Sequence, residues 1–244
     1  MSQHWYDSTG KLYETDLKEA RKLELVPSVT TILHEFENSY ALDLYKQKSM
    51  FLASLTLPRP EGISDDEFFE LVKKDSAEHS ERAKNYGSRL HFIIKTWLKG
   101  TDWEFLKVSD PDVYDKALQV ITWIKENKDS VIVDVKTQET KEGKFKQPYD
   151  SWLFQLCGYR LAAFNFHNGE YIEQSFYKDL LGNTYGGQID YCKKTNLNFT
   201  LINIMVSSNE NIPIKIYPWK FDKEEWGVKV FIGMLSLYRI LKKL

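Results

Sequence analysis

The sequence predicts an α/β fold with a mainly helical N-terminal subdomain. Apolar residues recur with helical spacing through most of the first half of the chain, whereas strand-length, β-branched runs alternate with helices after Asn127. The 244 residues are enough to bury a core without disulfide or metal staples. We assign residues 1–86 to the helical subdomain and residues 87–244 to the α/β core.

The composition excludes a disordered chain and an indiscriminate binder of polyanions. Hydrophobic residues make up 42% of the chain, and 33 basic against 35 acidic side chains give a net charge of −2. A near-neutral total still permits a local basic groove. The first residues lack the basic and apolar regions of a signal peptide, and no apolar stretch reaches bilayer length, so we expect a soluble, cytoplasmic protein without membrane contact, in the host cytoplasm if it is viral. Cys157 and Cys192 lack zinc-site spacing and are predicted to be reduced, buried thiols.

The N-terminal elements are predicted from turn and cap signals. Residues 4–16 resemble an aromatic hairpin with a turn at residues 8–10, and a short helix follows. Pro27 interrupts that helix, and either Ser28 or Thr31 begins the next.

A second helical stretch follows the proline-containing loop at residues 56–64. Ser64 and Glu67 have the spacing of a capping box and predict a helix start. Gly87 predicts a break within the long helical stretch that follows.

The second half begins with the run SVIVDVKT, which predicts a buried central strand. A charged loop at residues 138–150 and a helix at residues 151–166 follow; this helix can place Leu153, Leu156, Leu161 and Phe164 on one face. Next come a predicted strand pair in residues 170–194, strands in TLINIMVS and IPIKIYPW, and an amphipathic C-terminal helix.

The strand run contains a candidate catalytic pair. Two-residue periodicity places Asp134 and Lys136 on one face of the strand and Val135 on the other. A carboxylate there can hold Mg²⁺ or Mn²⁺, and a neighbouring lysine can orient an attacking water and offset charge on a phosphate. An ordinary surface ion pair explains the same spacing.

A hard cation usually takes more than one carboxylate, and the segment Tyr185 to Asp190 offers a second. Its double glycine permits close approach of backbone or substrate before Asp190. A plain turn with a solvated aspartate is the alternative.

Two helices offer further polar side chains. Gln155 and Tyr159 are four residues apart and share a helical face, where they can donate to a phosphate or to the lysine. His91 follows Gly87 on a helix and is either a metal ligand, a DNA contact or a core histidine.

Taken together, these segments resemble the PD-(D/E)XK nuclease superfamily, in particular its RecB-like exonuclease branch and similar phage proteins. The resemblance is carried by GSRLH at 87–91, VDVKT at 133–137, QLCGY at 155–159 and GGQID at 186–190. It implies a restriction-endonuclease-like core, a mixed β-sheet flanked by helices. It also implies that His91, Asp134 and Asp190 bind Mg²⁺ or Mn²⁺, that Lys136 assists water attack, and that Gln155 and Tyr159 support the site and contact DNA.

The order of the motifs departs from that superfamily. Its G-x-x-D strand normally precedes the D-x-K strand, whereas Asp190 follows both VDVKT and QLCGY. The pattern resembles a segmental permutation, which preserves a site if the strands remain neighbours in space. Glu173 is either an accessory acid or an exposed strand residue.

The sequence therefore predicts a metal-dependent deoxyribonuclease. The resemblance further implies that this nuclease is an exonuclease of phage DNA replication, recombination or repair. Lys144 and Lys146 lie in a basic loop that either contacts DNA or is a solvated hairpin tip. Trp97, Tyr149 and Trp152 can stack on unpaired bases or serve the core. The alternatives are a nuclease-fold protein that binds DNA or a protein partner without cleavage, and an α/β interaction domain with coincidental motifs.

Overall fold

The computed structural model describes residues 3–7, 9, 11–36, 40–127, 131–167, 177–178, 184–185, 200–209 and 211–243. The strands in this part of the chain are β1 (Gln3–Tyr6), β2 (Leu12–Thr15), β3 (Val26–Pro27), β4 (Val131–Gln138), β5 (Tyr177–Lys178), β6 (Thr184–Tyr185), β7 (Thr200–Ser207) and β8 (Lys215–Pro218). The helices are α1 (Leu17–Lys22), α2 (Val29–Phe36), α3 (Tyr40–Thr56), α4 (Asp65–Leu98), α5 (Leu106–Ser109), α6 (Pro111–Glu126), α7 (Asp150–His167) and α8 (Phe221–Lys242). The predicted α/β class is confirmed.

The N-terminal hairpin is confirmed and belongs to a small antiparallel sheet in the order β2-β1-β3. Trp5 from its central strand is fully buried in a core formed with α2, α7 and α8. The next helix begins after Ser28, whose Oγ accepts a hydrogen bond from the Thr31 amide at 3.0 Å. Of the two predicted start positions, Ser28 is therefore the cap.

Helix α4 runs without interruption for 34 residues, roughly 50 Å, so the predicted break at Gly87 is wrong. The predicted capping box at its start is confirmed, with Ser64 and Glu67 bonding each other's backbone. A mid-helix glycine costs only about 1 kcal/mol, and Gly87 allows α4 to approach β4 closely. The boundary predicted between residues 86 and 87 falls within this helix.

The second sheet has the order β4-β7-β8, with β7 parallel to β4 and antiparallel to β8. It is therefore mixed, and α7 lies in the chain between the two parallel strands. Alternate β7 side chains enter different cores: Ile202, Ile204 and Val206 pack with α4 and α6, and Leu201 packs with α2, α7 and α8. Helices cover both faces of this sheet.

Strand β4 was predicted to be a buried central strand, and the described residues differ from that expectation. Among the described strands β4 lies at a sheet edge, and most of its side chains are only half buried. The edge position accounts for the incomplete burial, and the polar side chains at alternate positions, Asp134 and Lys136, line a cleft described below.

A buried ion pair joins helices α7 and α8 to the sheet. Arg160 Nη1 lies 3.1 Å from Glu224 Oε2, and Glu224 Oε1 accepts from the Leu201 amide at 3.2 Å. Burial raises the pKa of the Glu224 carboxyl, while these two partners favour its charged form. This contact fixes α7, the helix that carries Gln155, above β7.

Cys157 is buried as predicted, and Cys192 lies outside the described residues. The predicted apolar face of α7 is confirmed at Leu153 and Leu156, which are fully buried; the side chains of Leu161 and Phe164 lie outside the described part. The strand pairing predicted after α7 appears as β5 and β6. Among the described helices, none combines the length and apolarity that a bilayer crossing requires.

Candidate functional site

Asp134 and Lys136 form an ion pair on one face of β4. Lys136 Nζ lies 3.0 Å from Asp134 Oδ2, and the Asp134 side chain is 11% exposed. Val135 between them points to the opposite face, where it is buried against α4 and α6. The two-residue periodicity therefore places the charges as the sequence predicts.

Helix α7 brings two polar side chains over this pair. Lys136 Nζ donates to Gln155 Oε1 at 2.6 Å, and Gln155 Nε2 donates to the Tyr159 hydroxyl at 2.6 Å. The Trp152 ring lies 5.7 Å from Lys136 Nζ, within cation-π range. One helical face thus orients the lysine through a continuous hydrogen-bond chain.

Asn203 on β7 completes the arrangement, and sequence reasoning missed it. Its Nδ2 donates to Asp134 Oδ2 at 3.3 Å, and its Oδ1 accepts from Trp219 Nε1 at 2.8 Å. The Asn203 side chain is fully buried. The signal in the sequence was a single amide in the otherwise apolar run LINIMV, because buried amides usually satisfy a specific partner.

His91 enters the same site from α4. It lines a cleft of about 680 Å³ along β4, together with Asp134, Lys136, Gln155 and Tyr159. The close approach of α4 depends on Gly87, since a Cβ placed there would lie 2.9 Å from Thr137 Oγ1. The glycine that predicted a helix break instead permits this helix to pack closely on β4.

The electrostatics of the cleft centre on Asp134. Burial raises the pKa of its carboxyl, and attraction to Lys136 and His91 together with the hydrogen bonds from Lys136 and Asn203 acts in the opposite direction. Burial likewise raises the pKa of the Tyr159 phenol, so this hydroxyl stays protonated at neutral pH. A cation bound beside Asp134 would stabilise its charged form further.

The structure thus brings together five of the predicted site residues: His91, Asp134, Lys136, Gln155 and Tyr159. Asp190, its GGQID segment and Glu173 lie outside the described residues, so the predicted second carboxylate remains a prediction. Lys144 and Lys146 are exposed in the turn after β4 and do not line the cleft. Trp97 packs against the core between α4 and α6. Of its two predicted roles, stacking on bases and packing in the core, this contact supports the second.

The donor set in the cleft is compatible with Mg²⁺ or Mn²⁺. In the described part of the chain, no group of three or more His, Cys, Asp or Glu side chains could enclose a metal ion. Mg²⁺ commonly uses one or two carboxylates and takes its other ligands from water and substrate phosphate. One largely buried carboxylate and one imidazole on facing elements would suit an open site of that kind and are too few for a closed structural one.

Searches of protein-family models, of curated proteins and of solved structures gave no match for this chain.

Proposed function

We propose that this protein is a metal-dependent deoxyribonuclease that hydrolyses DNA phosphodiester bonds and acts as an exonuclease. The observation that carries the proposal is the contact of Lys136 Nζ with both Asp134 Oδ2 and Gln155 Oε1 in an open cleft. This contact holds the lysine ammonium group in one position at the cleft by side chains from two different elements. The motif resemblance and the mixed sheet support the same conclusion.

The metal would be held by Asp134 and His91, with Asp190 as the second carboxylate that the sequence predicts. A divalent cation bound there supplies Lewis-acid activation of the phosphate and lowers the pKa of a bound water. Asn203 holds the Asp134 carboxylate in place by donating to Oδ2, and in the described part of the chain no hydrogen bond occupies Oδ1, which could take a ligand.

Lys136 contributes a positive charge and directed hydrogen bonds. An ammonium group has three N–H donors, and among the described residues two of them are accounted for by Asp134 and Gln155. The third can donate to the attacking water or to a phosphate oxygen, where it offsets the charge that builds up during in-line displacement. Gln155 and Tyr159 restrict the lysine to that orientation.

The test is cleavage of end-labelled linear DNA and closed circular DNA with Mg²⁺, Mn²⁺ or EDTA. We expect metal-dependent loss of linear DNA by the unmodified protein, and no loss with Asp134→Asn or Lys136→Ala. Lys74→Ala, an exposed lysine on α4 outside the cleft, serves as the matched control. Loss of the circle as well would identify an endonuclease.

Asp190→Asn tests the second carboxylate separately, and we expect it to abolish cleavage. DNA binding without cleavage under all metal conditions would overturn the proposal in favour of a nuclease-fold binding protein. Cleavage that survives Asp134→Asn would place the activity elsewhere.

A further inference from the structure

A stripe of basic side chains on α4 forms one wall of the cleft. Lys84, His91 and Lys95 are separated by seven and four residues, which places them on one helical face, and all three line the cleft. Lys84 and Lys95 are exposed. Neither makes an ion pair with another residue in the described ranges.

The charge of the cleft differs from that of the whole chain. Among the described residues that line it there are three lysines, Lys84, Lys95 and Lys136, and one carboxylate, Asp134. The chain as a whole has a net charge of −2. The positive charge is therefore concentrated where an anionic backbone would bind.

An aromatic side chain lies beside this stripe. Phe92 lines the cleft and is 56% exposed, although α4 offers buried positions for apolar residues at Leu90, Ile93 and Ile94. Basic residues that follow a backbone, combined with an exposed ring, are the recurring features of sites that bind a single nucleic-acid strand. A duplex would keep its bases stacked on each other and would leave the ring without a partner.

We infer that the α4 wall binds one DNA strand, with Lys84 and Lys95 on its phosphates and Phe92 stacked on an unpaired base. This inference rests on the proposed function for the identity of the substrate and adds its strand state. Lys84 and Lys95 are eleven residues apart, roughly 16 Å along the helix axis. That distance exceeds the spacing of neighbouring phosphates, so the two lysines contact different phosphates of the strand.

The experiment measures binding of a fluorescent oligothymidylate and of a matched duplex in EDTA, over a series of salt concentrations. Each lost phosphate contact should lower the magnitude of the slope of log K against log salt by about 0.7 for a single strand. We expect a reduction of about 0.7 for Lys84→Ala and for Lys95→Ala, and about 1.4 for the double variant. Lys74→Ala on the same helix should leave the slope unchanged.

Substitutions at Phe92 test the stacking contact. Phe92→Leu keeps apolar bulk without a stacking ring and should weaken binding of the oligothymidylate at least about five-fold, whereas Phe92→Tyr should retain it. The duplex should be affected less than the single strand. Circular dichroism and thermal unfolding of each variant identify any loss that reflects misfolding.

The outcomes separate this inference from the nuclease proposal. Unchanged salt slopes in both lysine variants, or tighter binding of the duplex by the unmodified protein, would overturn the α4 site even if the protein cleaves DNA. Reduced slopes and loss of binding in Phe92→Leu would uphold the site even if no metal supports cleavage. Failure of the unmodified protein to bind the oligothymidylate would also overturn it.

Discussion

Asn203 lies directly beside Asp134 in the parallel pairing of β7 with β4, and its side-chain amide donates to the Asp134 carboxylate at 3.3 Å. The oxygen of the same side-chain amide, Asn203 Oδ1, accepts a hydrogen bond from Trp219 Nε1. The Asp134 carboxylate is thus positioned by a fully buried residue that lies 69 positions further along the chain, on a neighbouring strand. This relationship makes β7 part of the candidate site.

Replacement of Asn203 should therefore lower the stability of the protein. Asn203→Ala leaves the Trp219 indole N–H without its acceptor, and we expect a loss of about 1–3 kcal/mol in the free energy of unfolding, measured in urea. Asn203→Asp should cost more, because a second buried carboxylate would face Asp134. A loss below about 0.5 kcal/mol for Asn203→Ala would contradict the bridging role.

The chain from Lys136 through Gln155 to Tyr159 predicts a graded loss of cleavage rate. Lys136→Ala should lower the rate at least about 100-fold, because it removes a charged donor. Gln155→Ala should lower it about ten-fold, and Tyr159→Phe less than about five-fold, since each lies one hydrogen bond further from the reacting atoms. Single-turnover rates at saturating metal measure the series, and a Tyr159→Phe loss equal to that of Lys136→Ala would contradict this order.

The contact between Gly87 and Thr137 predicts a change of sign in a double-mutant cycle. Gly87→Ala should destabilise the protein by about 1–2 kcal/mol, because the new methyl group overlaps the Thr137 side chain. In a Thr137→Ala background the overlap is relieved, and the same substitution should stabilise the helix by up to about 1 kcal/mol. Equal effects in both backgrounds, determined by chemical denaturation, would rule out this contact as the reason for the glycine.

Burial raises the pKa of the Cys157 thiol from 9.0 to about 12, which predicts a pH dependence of stability. The folded state keeps its proton at pH values where the unfolded state loses it. The stabilisation is therefore fully present below pH 9 and is lost as pH rises toward 12.

Between pH 8 and pH 10 this thiol should lower the free energy of unfolding by about 1.4 kcal/mol. Cys157→Ala should flatten the decline by that amount when both proteins are unfolded in urea under reducing conditions. Parallel curves for the two proteins would show that the thiol does not titrate differently in the two states.

Much of the fold was predictable because its signals are local. The capping box at Ser64 and Glu67, the alternation around Val135 and the four-residue spacing of Gln155 and Tyr159 each depend on neighbouring residues. Such patterns dictate which side chains share a face, and the structure confirms them. Gly87 was misinterpreted because a glycine suits both a helix break and a close contact, and the local sequence contains no information about Thr137.

Local periodicity and helix caps act within a few residues, and they were enough to predict the α/β class, the shared face of Asp134 and Lys136, and the helical face that orients the lysine. That α4 supplies His91 and a basic wall, and that Asn203 supports Asp134, follows only from the packing of distant segments. Those contacts depend on the parallel register of β4 with β7 and on the packing of α4 against β4. Both are set by burial of side chains far apart in the chain, which no local pattern specifies.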